Sequence, residues 1–175
     1  MNAMDQKAVE ILSKHRTLSI ATLRPDGWPQ ATIVGYANDG LLLYFLISRK
    51  SQKFANIARD NRVAVTIGAE TADVRDIKAV YAGAWASEVT DPAQREHAWS
   101  LLIDRHPNLR QFELPDYRDA AMMRAACHHI SILDYSQGIG HADELSVGPA
   151  GVPSMAPARS DDWGYLPAKE GTDIS

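Results

Sequence analysis

Seven consecutive apolar residues, Leu41 to Ile47, are followed at once by a polar, basic break, Ser48-Arg49-Lys50-Ser51. A run of that length is too short to span a bilayer and has the pattern of a strand buried on both faces. Beyond the break a short amphipathic helix is expected from Ser51, which can cap it. Phe54, Ile57 and Ala58 fall on one face at helical spacing. A buried strand running straight into a helix N-terminus leaves free backbone N–H groups at the junction, with the positive end of the helix dipole behind them. Residues 49–62 carry five Lys or Arg against one acid, in a chain of net charge -4. Two readings fit this stretch: a site for a phosphate, and a solvated basic rim in which Ser51 is only a cap.

The chain has 175 residues, a single-domain length with room for a substantial core. Hydrophobic residues make up 45% and charged residues 23%, as in an ordinary soluble globular protein. The mildly negative net charge argues against a nucleic-acid partner held by a general basic field. Cys127 is the one cysteine, which excludes an internal disulfide and a cysteine-based zinc site. With no signal peptide or membrane run in the sequence, a cytoplasmic setting is expected.

Taken in order, Asp5 to His15 reads as a helix, with Ala8, Ile11 and Leu12 on one side. Thr17 to Leu23 alternates as a strand, and Arg24-Pro25-Asp26-Gly27 has turn chemistry. Pro29 to Tyr36 is a second strand, returned by the hairpin signal Asn38-Asp39-Gly40 into the buried run. Val63, Val65 and Ile67 mark a fourth strand. Ile77 to Val89 is a fifth, in which Gly83 signals a bulge or a close approach. Thr90-Asp91-Pro92 starts a helix to about Asp104, ended by His106-Pro107. A second helical piece is expected from Tyr117 to Ala126, with Cys127 at its end as a buried small residue. A last strand then runs from His129 to Tyr135. Residues 137–175 hold six of the 11 glycines and four of the nine prolines, a composition for a floppy tail. Trp163, Tyr165 and Leu166 favour instead an arm that packs on the body or a partner. Asp143-Glu144 and Asp161-Asp162 read as solvated charges.

These elements make a mainly β (α+β) fold: a six-stranded antiparallel Greek-key barrel with peripheral helices. From Thr17 to about Val89, their order and the segments LSIATLRPDGWPQATIVGY and LLLYFLISRKSQKFANIARDNRVAVTIG resemble the pyridoxamine 5'-phosphate oxidase-like family of FMN-binding split barrels. The most specific points are the Asp-Gly-x-Pro turn at Asp26 to Pro29, Ser-x-Lys at Ser51 and Lys53, and Arg59-Asp60-Asn61-Arg62. The resemblance implies a split-barrel domain over residues 1–136 followed by a 137–175 arm or tail. It further implies a homodimer whose FMN sites lie at the subunit interface.

By position, Ser51, Gln52 and Lys53 would hold the FMN phosphate. Ile47 and Ser48 would pass beside the ribityl chain and ring. Thr32, Val34, Gly35 and Tyr36 would line the ring, largely through backbone groups. Two features depart from the family's oxidase. Thr32 and Ala37 stand where it has an arginine and a lysine, leaving Arg49 or Arg62 as candidate replacements. The last strand and tail also lack its Arg-x-His. The expected function is therefore an FMN-dependent oxidoreductase acting on a small organic substrate, not the authentic oxidase. A flavin or haem carrier without turnover and a deazaflavin-dependent reductase are the alternatives. The flavin carries the chemistry, so catalytic side chains are left unassigned; Tyr36, Tyr81, Trp85 and Trp163 are candidates over the ring. No metal site is expected. His128 and His129, as neighbours in a strand, should point to opposite faces and so cannot share an ion.

Overall fold

The structure is a computed structural model, and it describes residues 3–147 and 153–155. Helix α1 (Ala3–Lys14) leads into strands β1 (Thr17–Leu23), β2 (Pro29–Asp39) and β3 (Leu42–Ser48). Helix α2 (Gln52–Arg59), strands β4 (Arg62–Gly68) and β5 (Lys78–Glu88), and helix α3 (Pro92–Arg105) follow. Strands β6 (Ala120–Asp134), β7 (Ala142–Val147) and β8 (Pro153–Met155) complete the described chain. All pairings are antiparallel in the order β3-β2-β1-β4-β5-β6, and β6 returns to β3 to close a six-stranded barrel. β7 and β8 extend the sheet beyond β6. Trp163, Tyr165, Leu166 and the pair Asp161-Asp162 lie outside the described residues.

Local chemistry explains most elements. β4 alternates exposed and buried residues along its length, so Val63, Val65 and Ile67 reach the core. Gly40 takes a positive φ of 57° at the β2–β3 hairpin, a conformation that glycine adopts freely. Ser51 and Asp91 cap α2 and α3 by accepting the backbone N–H groups of Phe54 and Gln94. The apolar run is covered on both faces, as its pattern requires: Leu43, Phe45 and Ile47 point into the barrel, while Tyr44 lies under α3.

Two expectations about elements fail. The helix expected over Tyr117 to Ala126 is instead the first half of β6, so the last strand begins at Ala120 and not His129. Its alanines and methionines are good helix formers. Here they serve as the partner that β3 needs, with Leu42 to Ser48 paired against Ala126 to Ala120. Barrel closure overrides propensity, and Cys127 sits in mid-strand, buried. In α2, Ala58 is exposed, and the helix seats its Asn56–Ile57 edge.

The β2–β3 ladder runs only from Asp39–Leu42 to Tyr36–Phe45. Beyond it β2 stays with β1 back to Pro29, while β3 stays with β6 out to Ser48. The seam therefore forks at Gly35 and Leu46. α2 bridges the opening, pinned by Asn56, whose Nδ2 donates to Thr22 Oγ1 (3.0 Å) and Gln30 Oε1 (3.1 Å).

Candidate functional site

The forked seam gathers the residues singled out in the sequence onto two lips. On the β2 lip, Val34 and Tyr36 point into the core, and only Gly35 of this set is exposed. Tyr36 is fully buried, and its hydroxyl donates to the Leu12 carbonyl at 2.5 Å, so it cannot lie over an open ligand face. Burial pushes that phenol up to about 12. Thr32 Oγ1 is buried with no hydrogen-bond partner among the described residues. On the other lip Ile47 is buried, while Ser48 and Gln52 are exposed and Ser51 is half-buried.

The start of α2 is organised by hydrogen bonds. Ser51 Oγ donates to the Ser48 carbonyl (2.7 Å) and accepts from Phe54 N (3.3 Å). Ser48 Oγ accepts from Lys50 N at 3.2 Å. Gln52 Nε2 donates to Asn56 Oδ1 at 2.9 Å, so one polar chain links Gln52 through Asn56 to Gln30 on the opposite lip. Asn56 is completely buried. It was not singled out in the sequence, although a lone amide on the apolar side of a short helix is a readable signal. Lys53 is half-buried and makes no ion pair or hydrogen bond among the described residues. Burial lowers its pKa, as expected for an ammonium losing water without gaining a counter-charge.

The candidate replacement arginines are engaged elsewhere. Arg49 pairs with Glu88 (Nη1 to Oε2, 3.2 Å), donates from Nε to the Tyr117 carbonyl, and lies 5.2 Å from the Phe54 ring centre. Arg62 pairs with Asp60 at 2.6 Å. An anion in the seam would meet Lys53, the first-turn N–H groups of α2 that the Ser51 cap does not take, and neither arginine unless its pair opened. That set fits a phosphoryl group, held by one ammonium and backbone donors.

The histidine pair also differs from expectation. Gly83 faces His129 and Ala84 faces Cys127, so His128 is an extra residue in a β-bulge. The bulge breaks strand alternation and brings the two rings within 4.3 Å, centre to centre. His128 Nδ1 lies 2.8 Å from the Val147 carbonyl, and His129 Nδ1 3.3 Å from Ser146 Oγ. Among the described residues no three His, Cys, Asp or Glu converge as a metal set. Asp143, expected in solvent, is buried and bound by Lys7.

A closed antiparallel barrel whose seam opens over a short capped helix defines a split-barrel protein. Residues 4–132 match the family described as pyridoxamine 5'-phosphate oxidase, and the chain belongs to that family. General stress protein 26 of Bacillus subtilis (strain 168) is 26% identical over 134 residues, 71% of this chain and 93% of that protein. A haem-binding protein from Mycobacterium smegmatis superposes with a TM-score of 0.70 at 19% identity, covering 83% of this chain and 59% of that one. An FAD-binding protein from Mesorhizobium loti superposes with a TM-score of 0.59 at 21% identity, covering 75% and 94%. The two structural likenesses are likenesses of fold. Among the described residues no helix is long and apolar enough to cross a membrane.

Proposed function

We propose that this chain is an FMN-binding flavoprotein, active as a homodimer, that exchanges reducing equivalents with a small organic molecule. The observation that carries this reading is the placement of Ser48, Ser51, Gln52 and Lys53 on the lip of the fork that faces Gly35, with Lys53 partly desolvated and without an ion pair among the described residues. In this reading Lys53 and the α2 N–H groups bind the phosphate, while the Ser51 cap holds the helix end in place. The β2 backbone from Thr32 to Tyr36 runs beside the ring, and Gly35 leaves it room. Ile47 and Ser48 flank the chain between ring and phosphate. The bound flavin would supply the two-electron chemistry, and the protein its orientation and electrostatic setting.

Authentic oxidase activity is disfavoured by β6, which carries no Arg-x-His to grip its substrate, while Ala37, buried under α3, leaves the flavin phosphate without one second-strand cation. The dimer is supported by the outer sheet face. There a register row of small residues, Ala31, Ala21, Ala64 and Gly83, lies next to three exposed large apolar side chains, Ile33, Tyr81 and Trp85. An exposed apolar patch with small residues at its centre suits a second copy of the chain.

The test is the visible spectrum and chromophore mass of the purified protein, repeated for Lys53→Ala. Losing a charge-assisted phosphate contact of about 2 kcal/mol should weaken FMN binding about 30-fold. Retention should also fall as pH rises through the lowered Lys53 pKa, because only the ammonium attracts phosphate. Unchanged FMN affinity in Lys53→Ala would remove the assignment. A Soret band in place of flavin bands would turn the reading to haem, with His128 and His129 as the available imidazoles.

A further inference from the structure

A cavity of about 540 Å³ opens beside the apex of the fork, between the barrel wall and α3. Gly35 and Leu46, the first residues past the last β2–β3 pair, form its floor. Trp99 of α3 and His106, which follows its last residue, form one wall, and Phe112 and Glu113 of the following segment another. The volume is that of an ordinary small-molecule site. Phe112 is 57% exposed, so much of a large aromatic face is left uncovered by the described residues.

The glycine at position 35 has a specific use. A Cβ there would lie 3.3 Å from His106 Cε1 and 3.4 Å from Nε2, so the imidazole rests directly on the strand. His106 Nε2 is 3.0 Å from the Tyr36 carbonyl. A carbonyl only accepts, so Nε2 carries a proton, and Nδ1 is left as an acceptor in the neutral ring. The lining therefore offers aromatic and aliphatic surface, an imidazole and an amide from Asn108. Among the described residues that line it, Glu113 is the one acid and there is no lysine or arginine.

We infer that this cavity is a binding site for a small, flat, uncharged organic molecule. Its faces suit stacking between aromatic side chains, and its charge disfavours anions: a carboxylate or phosphate would meet Glu113 with no cation to offset it. The site deepens the flavoprotein reading by naming the substrate class, and rests on that reading for its role though not for its binding. An occupant here and a flavin in the seam would share Gly35.

The full chain is titrated by calorimetry with 2-naphthalenemethanol and with 2-naphthoate, which present one ring system without and with a negative charge. The alcohol should bind at least tenfold more tightly than the carboxylate, and Glu113→Gln should narrow that ratio. Phe112→Ala, at an exposed position that the barrel does not need, should weaken alcohol binding at least fivefold. Gly35→Ala, which pushes His106 into the cavity, should do the same, with its fold checked by thermal melting. Equal affinity for the two ligands, no binding of the alcohol up to its solubility, or unchanged affinity in both Phe112→Ala and Gly35→Ala overturns the inference. Flavin content is read from the same samples by absorbance. Bound flavin with no alcohol binding removes the cavity's role alone, and alcohol binding in a protein that refuses FMN removes the flavin reading alone.

Discussion

Replacing Lys7 with methionine should loosen α1 from the barrel by an amount that depends on pH. Lys7 Nζ lies 2.9 Å from Asp134 Oδ2 and 3.0 Å from Asp143 Oδ2, joining α1 to the end of β6 and the start of β7. Burial alone would lower the Lys7 pKa, but its hydrogen bonds to the two carboxylates outweigh this and raise it. Burial alone would raise Asp134, but hydrogen bonds from Ser136, Gln137 and Lys7 outweigh this and hold it well below the usual carboxylate range. The signs follow from linkage. The Asp134 contribution is present above the ordinary carboxylate pKa and is lost as pH falls through its depressed value. The Lys7 contribution is present below the ordinary lysine pKa and is lost as pH rises through its raised value.

The methionine variant leaves Asp134 and Asp143, 4% and 9% exposed, without their shared cation. Breaking a buried pair costs about 3–5 kcal/mol. The Lys7 side chain is 24% exposed, and Lys78 remains 3.8 Å from Asp134. Solvent and that second cation reduce the loss to about 2 kcal/mol. For a chain of this size that corresponds to a fall in Tm of roughly 4–8 °C at pH 7. Without Lys7, Asp134 loses one of the groups that hold its pKa down and takes up a proton more readily, so the gap between variant and parent should narrow by pH 4. Circular dichroism melts at both pH values decide it. A fall below about 1 °C at pH 7, or the same gap at both, would refute the reasoning.

Three further outcomes follow from buried polar groups. Arg95 is 2% exposed, donates to the Pro115 carbonyl at 2.9 Å, and stacks 3.7 Å from the Tyr117 ring centre. Arg95→Ala should cost about 3 kcal/mol in urea unfolding, and less than 1 kcal/mol would show that the stack is inert. Asn56→Ala removes the bridge across the seam and leaves Thr22 and Gln30 without it. It should cost about 2–3 kcal/mol and speed amide exchange in α2, and unchanged exchange would mean that the helix is held by its apolar side alone. Burial pushes the Cys127 thiol up to about 12, so the native protein should resist iodoacetamide at pH 8 and react once unfolded. Mass spectrometry of the alkylated protein checks this, and rapid native labelling would place Cys127 outside the core.

Chemistry that acts over a few neighbouring residues can be read without the fold. The bounds of β1, the Gly40 hairpin, the Ser51 and Asp91 caps and the doubly covered strand Leu42–Ser48 all follow from alternation, φ preference or a side chain reaching its own backbone. The Ser51–Lys53 segment was legible for the same reason: strand, break, cap and charge are contiguous. Tertiary structure decided what depends on partners far along the chain. Residues 120–126 are a strand because β3 offers a ladder edge that barrel closure must fill, and that gain exceeds the small helix preference of alanine and methionine. His128 and His129 share a side because β6 must pass Gly83 with one residue to spare. Arg49 finds Glu88 some forty positions away, so a cation free in the sequence is committed in the fold. The cavity at Gly35 exists because two strands adjacent in sequence part company there, each held by a different neighbour. Such pairings are set by the closure of the whole sheet, which no local window of residues contains.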